Sequence, residues 1–371
     1  MAKDQTWSNV GEFVSEGVMV AVRLCFPGQS VPPPAGETAM TALALDERGT
    51  VYCGTRGTRA HVLAATIRTD TGIVHDLGVV PEATSIDGLS VWNDRVYVVA
   101  SGPKGSGIWS WPLFRGSFYI QEWGLRRHSP ERVCELFADA SVAHAVAVED
   151  GRVFVGIAQP SGQVFRVDLA SPKLGVLGKV DERGAFSRRL GADRCGRVWG
   201  SCGSGQLWTH DPMATEPLRK LEMRIPAAAG RAQHTQASAW AVDPVTRVIY
   251  GGTTPDGFLF KIEPGGERII PLGKPARFSE ITCLTVGNDG RLFGMAGAED
   301  DIGHLFCYEP GTGALRDLGI PVSALGAREY GYHYGCAITG PQGEMYFGQQ
   351  ERVNQLWVYF PPVPVRTARE G

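Results

Sequence analysis

Short stretches in which apolar and polar residues alternate recur along the whole chain, among them TALALDERG, LSVWND, AVAVEDG, RLGADRCG, AWAVDPVT, CLTVGNDG and CAITGPQG. Each runs into a tight turn rich in Gly, Asp or Asn, and the period of two predicts a half-buried β-strand. A second motif follows each stretch, a valine-like residue with an aromatic and then small residues: GTVYCGT, DRVYVVAS, GRVFVG, GRVWGS, RVIYGGT, GRLFGM and GEMYFG. Strand, turn and strand make a β-hairpin. The aromatics of the seven copies are Tyr52, Tyr97, Phe154, Trp199, Tyr250, Phe293 and Tyr346, spaced 43 to 57 residues apart.

A third strand of shared form follows most copies (QVFRVDL, QLWTHDP, FLFKIEP, HLFCYEP, QLWVYFP), and a fourth often ends in Leu-Gly, as in VHDLG, LGVLG, IIPLG and LRDLG. Units of four antiparallel strands at this period predict an all-β fold, a seven-bladed β-propeller. The last unit stops after its third strand, whereas residues 18–26 (VMVAVRLCF) form an extra apolar strand ahead of the first unit. The expectation is therefore one domain over 1–371, with seven blades over 41–360 and a ring closed by the N-terminal strand, so that no sheet edge is left open there. Blade two carries a longer connection, residues 112–132, read as a surface insertion or a flap.

Composition fits one soluble, turn-rich domain, with 43% hydrophobic and 20% charged residues, 48 Gly and 24 Pro. A net charge of −3 without a basic run argues against nucleic acid. No apolar stretch is long enough to span a bilayer, and the first residues lack a signal-peptide core. The expected location is cytoplasmic, with the mature form of a secreted protein as the alternative. Eight cysteines without a CxxC pair are read as small buried apolar residues.

In a propeller the residues just before each innermost strand converge on one mouth of the central channel. Here they are Glu37 and Thr41, Asp87, His144, Arg188 and Arg189, His234 and Gln236, Glu280 and Thr282, and Tyr330, Tyr332, His333 and Tyr334. The loops ending the second strands add Arg56, Gln159, Gln349 and Glu351. The segments REYGYHYG (328–335) and RAQHTQAS (231–238) concentrate this chemistry. His61, His75, His128, His210 and His304 fall on outer strands or loops and are set aside. Serine-hydrolase, zinc-protease, P-loop and dinucleotide motifs are absent.

Such a set suits β-elimination from a uronate. That reaction needs the substrate carboxylate neutralised, a base for the neighbouring proton and an acid for the leaving oxygen. Arg188 or Arg189 would hold the carboxylate, His144, His234 or His333 would act as base, and Tyr332 or Tyr334 as base or acid. Asp87, Gln236, Glu280 and Gln349 would bind the sugar. In architecture and in this His/Tyr/Arg inventory the chain resembles the seven-bladed propeller polysaccharide lyases, those acting on ulvan or on rhamnose-glucuronate linkages. It is similar also to the propeller oligogalacturonide lyases, a resemblance that implies a divalent metal held by His234, Gln236 and His333; the cofactor expectation is thus none or one divalent metal. A competing reading is a non-catalytic platform for a protein or small-molecule partner, since one fold serves many functions. A third is a metal-assisted lyase or isomerase on a small lactone, with Glu280 and His234 as ligands.

Overall fold

The hairpin pattern becomes strands because each alternating run ends at a residue able to turn the chain through a left-handed conformation. The structure, a computed structural model, describes residues 14–23, 34, 36–68, 71–115, 129–138, 145–149, 151–157, 162–180, 189–193, 196–214, 218–232, 234–265, 268–298, 301–323, 329–351 and 355–362. The N-terminal strand is β1 (Val18–Arg23). The first unit holds β2 (Ala39–Leu45), β3 (Thr50–Arg56), β4 (His61–Arg68) and β5 (Thr71–Val79), and the second β6 (Ser85–Trp92), β7 (Arg95–Gly102), β8 (Gly105–Pro112) and β9 (Glu131–Phe137). The third holds β10 (Ala145–Glu149), β11 (Arg152–Ile157), β12 (Gln163–Asp168) and β13 (Leu174–Lys179), and the fourth β14 (Gly191–Ala192), β15 (Val198–Ser201), β16 (Gln206–His210) and β17 (Arg219–Arg224). Then come β18 (Gln236–Val242), β19 (Ile249–Thr254), β20 (Leu259–Ile262) and β21 (Ile269–Gly273) in the fifth, and β22 (Ile281–Val286), β23 (Leu292–Ala296), β24 (His304–Glu309) and β25 (Ala314–Gly319) in the sixth. After a small ladder of β26 (Val322–Ser323) and β27 (Glu329–Tyr330), the seventh unit holds β28 (Tyr334–Thr339), β29 (Met345–Gln349) and β30 (Gln355–Phe360).

Every unit is antiparallel and meanders from its first strand to its last, and β1 pairs with β30 as the fourth strand of the last unit. The first two units are joined into one sheet through the pairing of Arg56 with Ser85. No helix occurs among the described residues, and so none long and apolar enough to cross a membrane.

The turn between first and second strands holds a residue of positive φ in each unit: Gly49, Asn93 with Asp94, Gly151, Gly196, Arg247, Gly290 and Gly343. Glycine adopts this region freely, and Asn and Asp tolerate it. Arg247 is the exception, and there the Asp243 carboxylate braces the turn by accepting from the Val245 and Thr246 amides and the Thr246 hydroxyl. The insertion expected at 112–132 begins where β8 ends and stops where β9 starts, and its residues 116–128 lie outside the described ones.

Burial follows from stacking of units. Among the described residues the core divides into seven clusters, and each lies where two units consecutive in the chain face one another, or where the last faces the first. The cluster of the last and first units joins Cys336, Tyr346, Leu356 and Val358 to Met40, Val51, Cys53 and Leu63, with Val22 of β1 at its outer end. The first strands touch in order, β2 with β6, then β10, β14, β18, β22 and β28, and β28 touches β2. Cys53, Cys202, Cys283, Cys307 and Cys336 are buried free thiols and Cys134 is half-buried, in keeping with their reading as apolar residues. Cys25 and Cys195 lie outside the described residues.

Candidate functional site

An extra residue in the first strand of five units shapes one end of the molecule. The ladders skip Thr41, Asp87, Ser238, Thr282 and Gly335, each one residue before the long regular run of pairs. Such bulges bend a strand and re-aim a side chain. Two of the three hydroxyls at these places bind neighbouring units, Thr41 Oγ1 donating to the Ile86 carbonyl at 2.5 Å and Ser238 Oγ to the Ile281 carbonyl at 2.6 Å, while Thr282 Oγ1 donates to the Met295 carbonyl of its own unit.

Asp87 is the one ionisable residue at these five bulges. Its Oδ1 accepts from Ser85 Oγ at 2.9 Å and its Oδ2 from Ser101 Oγ at 2.7 Å. Burial pushes its carboxyl up to about 6, against the two hydroxyl bonds and the positive charge of Arg56. Arg56, at the end of β3, is exposed.

Arg189 comes from the fourth unit, yet its guanidinium donates to the carbonyls of Thr41, at 2.8 Å, and of Gly335. It therefore crosses from one side of the array of first strands to the first and seventh units. This is a long cation satisfied by main-chain oxygens, placed at the level of the bulges.

The segment expected to carry a tyrosine–histidine cluster separates into an exposed and a buried part. Tyr332 is 39% exposed, whereas Tyr334 is 1% exposed. The Tyr334 ring packs edge-on against Phe347 and Trp357, at 6.4 and 6.3 Å between centroids, and burial pushes its phenol far above the usual range. Its hydroxyl has no hydrogen-bond partner among the described residues. Between them, the half-buried His333 donates its amide to Glu351 at 2.8 Å and its carbonyl accepts from Gln350. Burial raises the Glu351 carboxyl, opposed by that amide and by Gln349. Gln349 is buried and accepts from Trp357 Nε1 at 2.9 Å.

Across the array, His234 is exposed on a turn whose neighbours are anchored by the buried Asp256, which accepts from Thr235 Oγ1 and the Ala228 amide. Gln236 opens β18 and is half-buried, and Glu280 is buried just before β22. His144 and Arg188 lie outside the described residues, as does Gln159. Among the described residues no group of three or more His, Cys, Asp or Glu side chains is arranged to hold a metal ion.

One constellation escaped the sequence reading. His61, set aside as an outer-strand histidine, has Nε2 2.8 Å from Glu37 and Nδ1 3.0 Å from Asp76, and Arg59 clasps Glu37 through Nε and an Nη. This network ties the segment before β2 to the outer strand β5. A signal for it was present, because in the sixth unit as in the first a histidine opens the third strand and pairs with the Asp of an Asp-Leu-Gly on the fourth, His304 with Asp317.

No protein-family model matches the chain, and no curated protein matches it. Solved structures do. The extracellular domain of the putative hybrid two component system BT4673 from B. thetaiotaomicron superposes with a TM-score of 0.62 at 12% identity, covering 92% of this chain. This chain spans 39% of the length of that one. A chain of the mitotic checkpoint complex gives 0.62 at 10% identity, covering 95% of this chain and 94% of its own, and U3-55K gives 0.61 at 11%, covering 94% and 99%. The fold is all-β and propeller-like. At these identities the likeness speaks to the fold alone, and activity is a matter for the side chains.

Proposed function

We propose that the chain is a single, closed seven-bladed β-propeller that cleaves uronate-containing glycans by β-elimination where its first strands begin. The ring is supported by the core clusters, one to each pair of adjoining units, and by β1 serving as fourth strand of the last unit. The observation that carries the functional reading is that Asp87, Arg189, His234, Glu280, Tyr332 and His333 stand at or just before the first strands of five units, strands that touch one another in order.

In this reaction a base removes the proton next to the uronate carboxylate, the C–H electrons become the new double bond, and the bond to the glycosidic oxygen breaks as an acid protonates that oxygen. His333 and His234 are the candidate bases, and the exposed Tyr332 is the candidate acid. Tyr334 in this reading holds the segment that carries them, because its ring belongs to the core. Arg189 contributes a fixed positive charge behind the site, its guanidinium turned to main-chain carbonyls. The metal variant would draw on His234, Gln236 and His333.

A second reading, a non-catalytic platform for a protein or small ligand, is favoured by one observation. The mouth segments are tied into the framework by Glu37–His61–Asp76 and by Glu351, which suits a rigid surface as well as a reactive one. The test is the absorbance of an unsaturated uronate during incubation with uronate-containing polysaccharides, with and without chelator. A rise supports elimination, and its loss in chelator supports the metal variant. A flat signal across the panel with folded protein leaves the platform.

A further inference from the structure

We infer that the seam between the first and second units carries a subsite for one acidic sugar residue, in which Arg56 takes the carboxylate and Asp87 an adjacent hydroxyl. The inference rests on the reading that this end of the molecule takes uronate-containing glycans.

The seam is firmly joined. It is the one place among the described residues where two units form a single sheet. Beside the pairing of Arg56 with Ser85, the Gly57 amide donates to the Thr84 carbonyl at 2.9 Å and the Ala60 amide to the Ala83 carbonyl at 3.0 Å. The Thr84 amide donates to the Ser101 carbonyl at 2.8 Å, and Thr41 Oγ1 reaches Ile86 next to Asp87. A site on such a floor loses little freedom when a ligand arrives.

Asp87 is aimed by two hydroxyls, one on each carboxylate oxygen, which leaves each oxygen a further lone pair for a donor. Sugar hydroxyls are such donors. Arg56 is exposed, and among the described residues no acceptor bonds its guanidinium, although its charge acts on Asp87. Several other cations of the molecule are already held. Arg59 is occupied by Glu37, Arg189 by two carbonyls, Arg231 by Asp256 and Lys104 by Glu82. A carboxylate arriving at Arg56 displaces water and breaks no internal bond, and the planar guanidinium suits its two oxygens. A neutral sugar offers Arg56 no such group, while a ligand without hydroxyls offers Asp87 nothing to accept. The pair therefore selects for an acid group and a hydroxyl on the same small unit.

The test uses free glucuronate and galacturonate with the full chain, since a free monosaccharide acid has no glycosidic leaving group and reports binding alone. Binding is followed by calorimetry and by NMR shifts, with glucose and galactose as neutral counterparts. The expected result is binding of the acids over the neutral sugars, weakened about tenfold or more in Arg56→Gln and less in Arg56→Lys, which keeps charge but loses the fork. Asp87→Asn is expected to weaken the acids several-fold, and Lys104→Gln, at a cation already paired with Glu82, to leave binding unchanged. Circular dichroism of each variant separates lost binding from lost fold. Equal binding to wild type and Arg56→Gln overturns the subsite, as does no binding of either acid. Elimination measured on polymer stands apart: product formation unaffected by Arg56→Gln sinks the subsite and keeps the lyase, whereas acid binding at Arg56 without product keeps the subsite and sinks the lyase.

Discussion

His61 meets a carboxylate at each ring nitrogen, and only an imidazolium donates from both. Burial alone would lower its proton affinity, but the bonds to Asp76 and Glu37 outweigh it and hold it above the ordinary range. The groups facing it are Glu37 before β2, Asp76 on β5, Arg59 through Glu37, and Thr55, whose hydroxyl accepts the His61 amide. A raised folded-state affinity means the stabilisation is complete below about 6.5, the ordinary histidine value, and is lost as pH climbs through the folded value. His61→Gln is expected to cost about 3 kcal/mol at pH 6 and less at pH 9, because it breaks one member of a buried charged set. Thermal melts at the two pH values check this, and equal losses at both would remove the charged pairing from the account. Asp87 works in the other direction. Its carboxyl is held near 6 against an ordinary 3.8, so the ionised form strains the fold above about pH 6 and the strain eases as pH falls towards 4. Asp87→Asn should raise stability at pH 7.5 by at most about 3 kcal/mol and flatten the melting curve's dependence on pH between 4 and 6. A destabilised Asn variant would mean that the carboxylate anchors the seam rather than burdening it.

Within the strands, the glycines of the valine–aromatic motif are spaces filled by neighbours. Gly200, Gly251 and Gly294 stand opposite Trp208, Phe260 and Phe306 on the third strand of the same unit, whose rings lie where a Cβ would go. Gly54 and Gly252 are covered instead by Ile86 and Ile281, the residues just before the bulges of the following unit. Gly251→Ala is therefore an overpacking change expected to cost about 1–3 kcal/mol, and Phe260→Leu in the same chain should recover part of it. A double-mutant cycle by denaturant unfolding measures the coupling, and independent, additive losses would contradict the contact. These glycines also show why the strands were legible: alternation, turn residues and a motif repeated seven times all point the same way. Asp87, Thr41 and Thr282, picked out together from the sequence, fall at equivalent bulges, because aligning repeats by their apolar positions aligns their bulges too. The reach of Arg189 was not legible, since periodicity cannot follow a long side chain to carbonyls of units far away in sequence. Tyr332 and Tyr334 share a parity but not an environment, because the ladder begins at Tyr334 and draws it into the core. His61 was missed because its partners come from a loop and an outer strand, a coincidence betrayed only by a histidine on the third strand and an Asp-Leu-Gly on the fourth in both the first and sixth units.

At the scale of the molecule, the first described strand and the last support each other. From Val18 opposite Phe360 to Arg23 opposite Gln355, β1 covers the edge of β30. It is clipped from one side, where Glu16 pairs with Arg316 at 2.8 Å and with Arg291 at 3.7 Å, the Ser15 amide donates to the Leu318 carbonyl and the Tyr359 hydroxyl donates to the Glu16 carbonyl. The strand also feeds two cores at once, Met19 and Ala21 facing the sixth unit and Val22 the first. Deleting residues 1–23 would thus bare a strand edge and open both seams beside the last unit, a combination that favours intermolecular pairing. The truncated chain should aggregate or unfold without a sharp transition. A synthetic peptide of residues 14–24 supplied during refolding should restore solubility and a single cooperative melt, while a scrambled peptide should not, because the register depends on Met19 and Ala21 facing one way and Val20 and Val22 the other. If the truncated chain melts as the full one does, the edge of β30 is held by something other than this strand, and the two ends of the chain do not depend on one another.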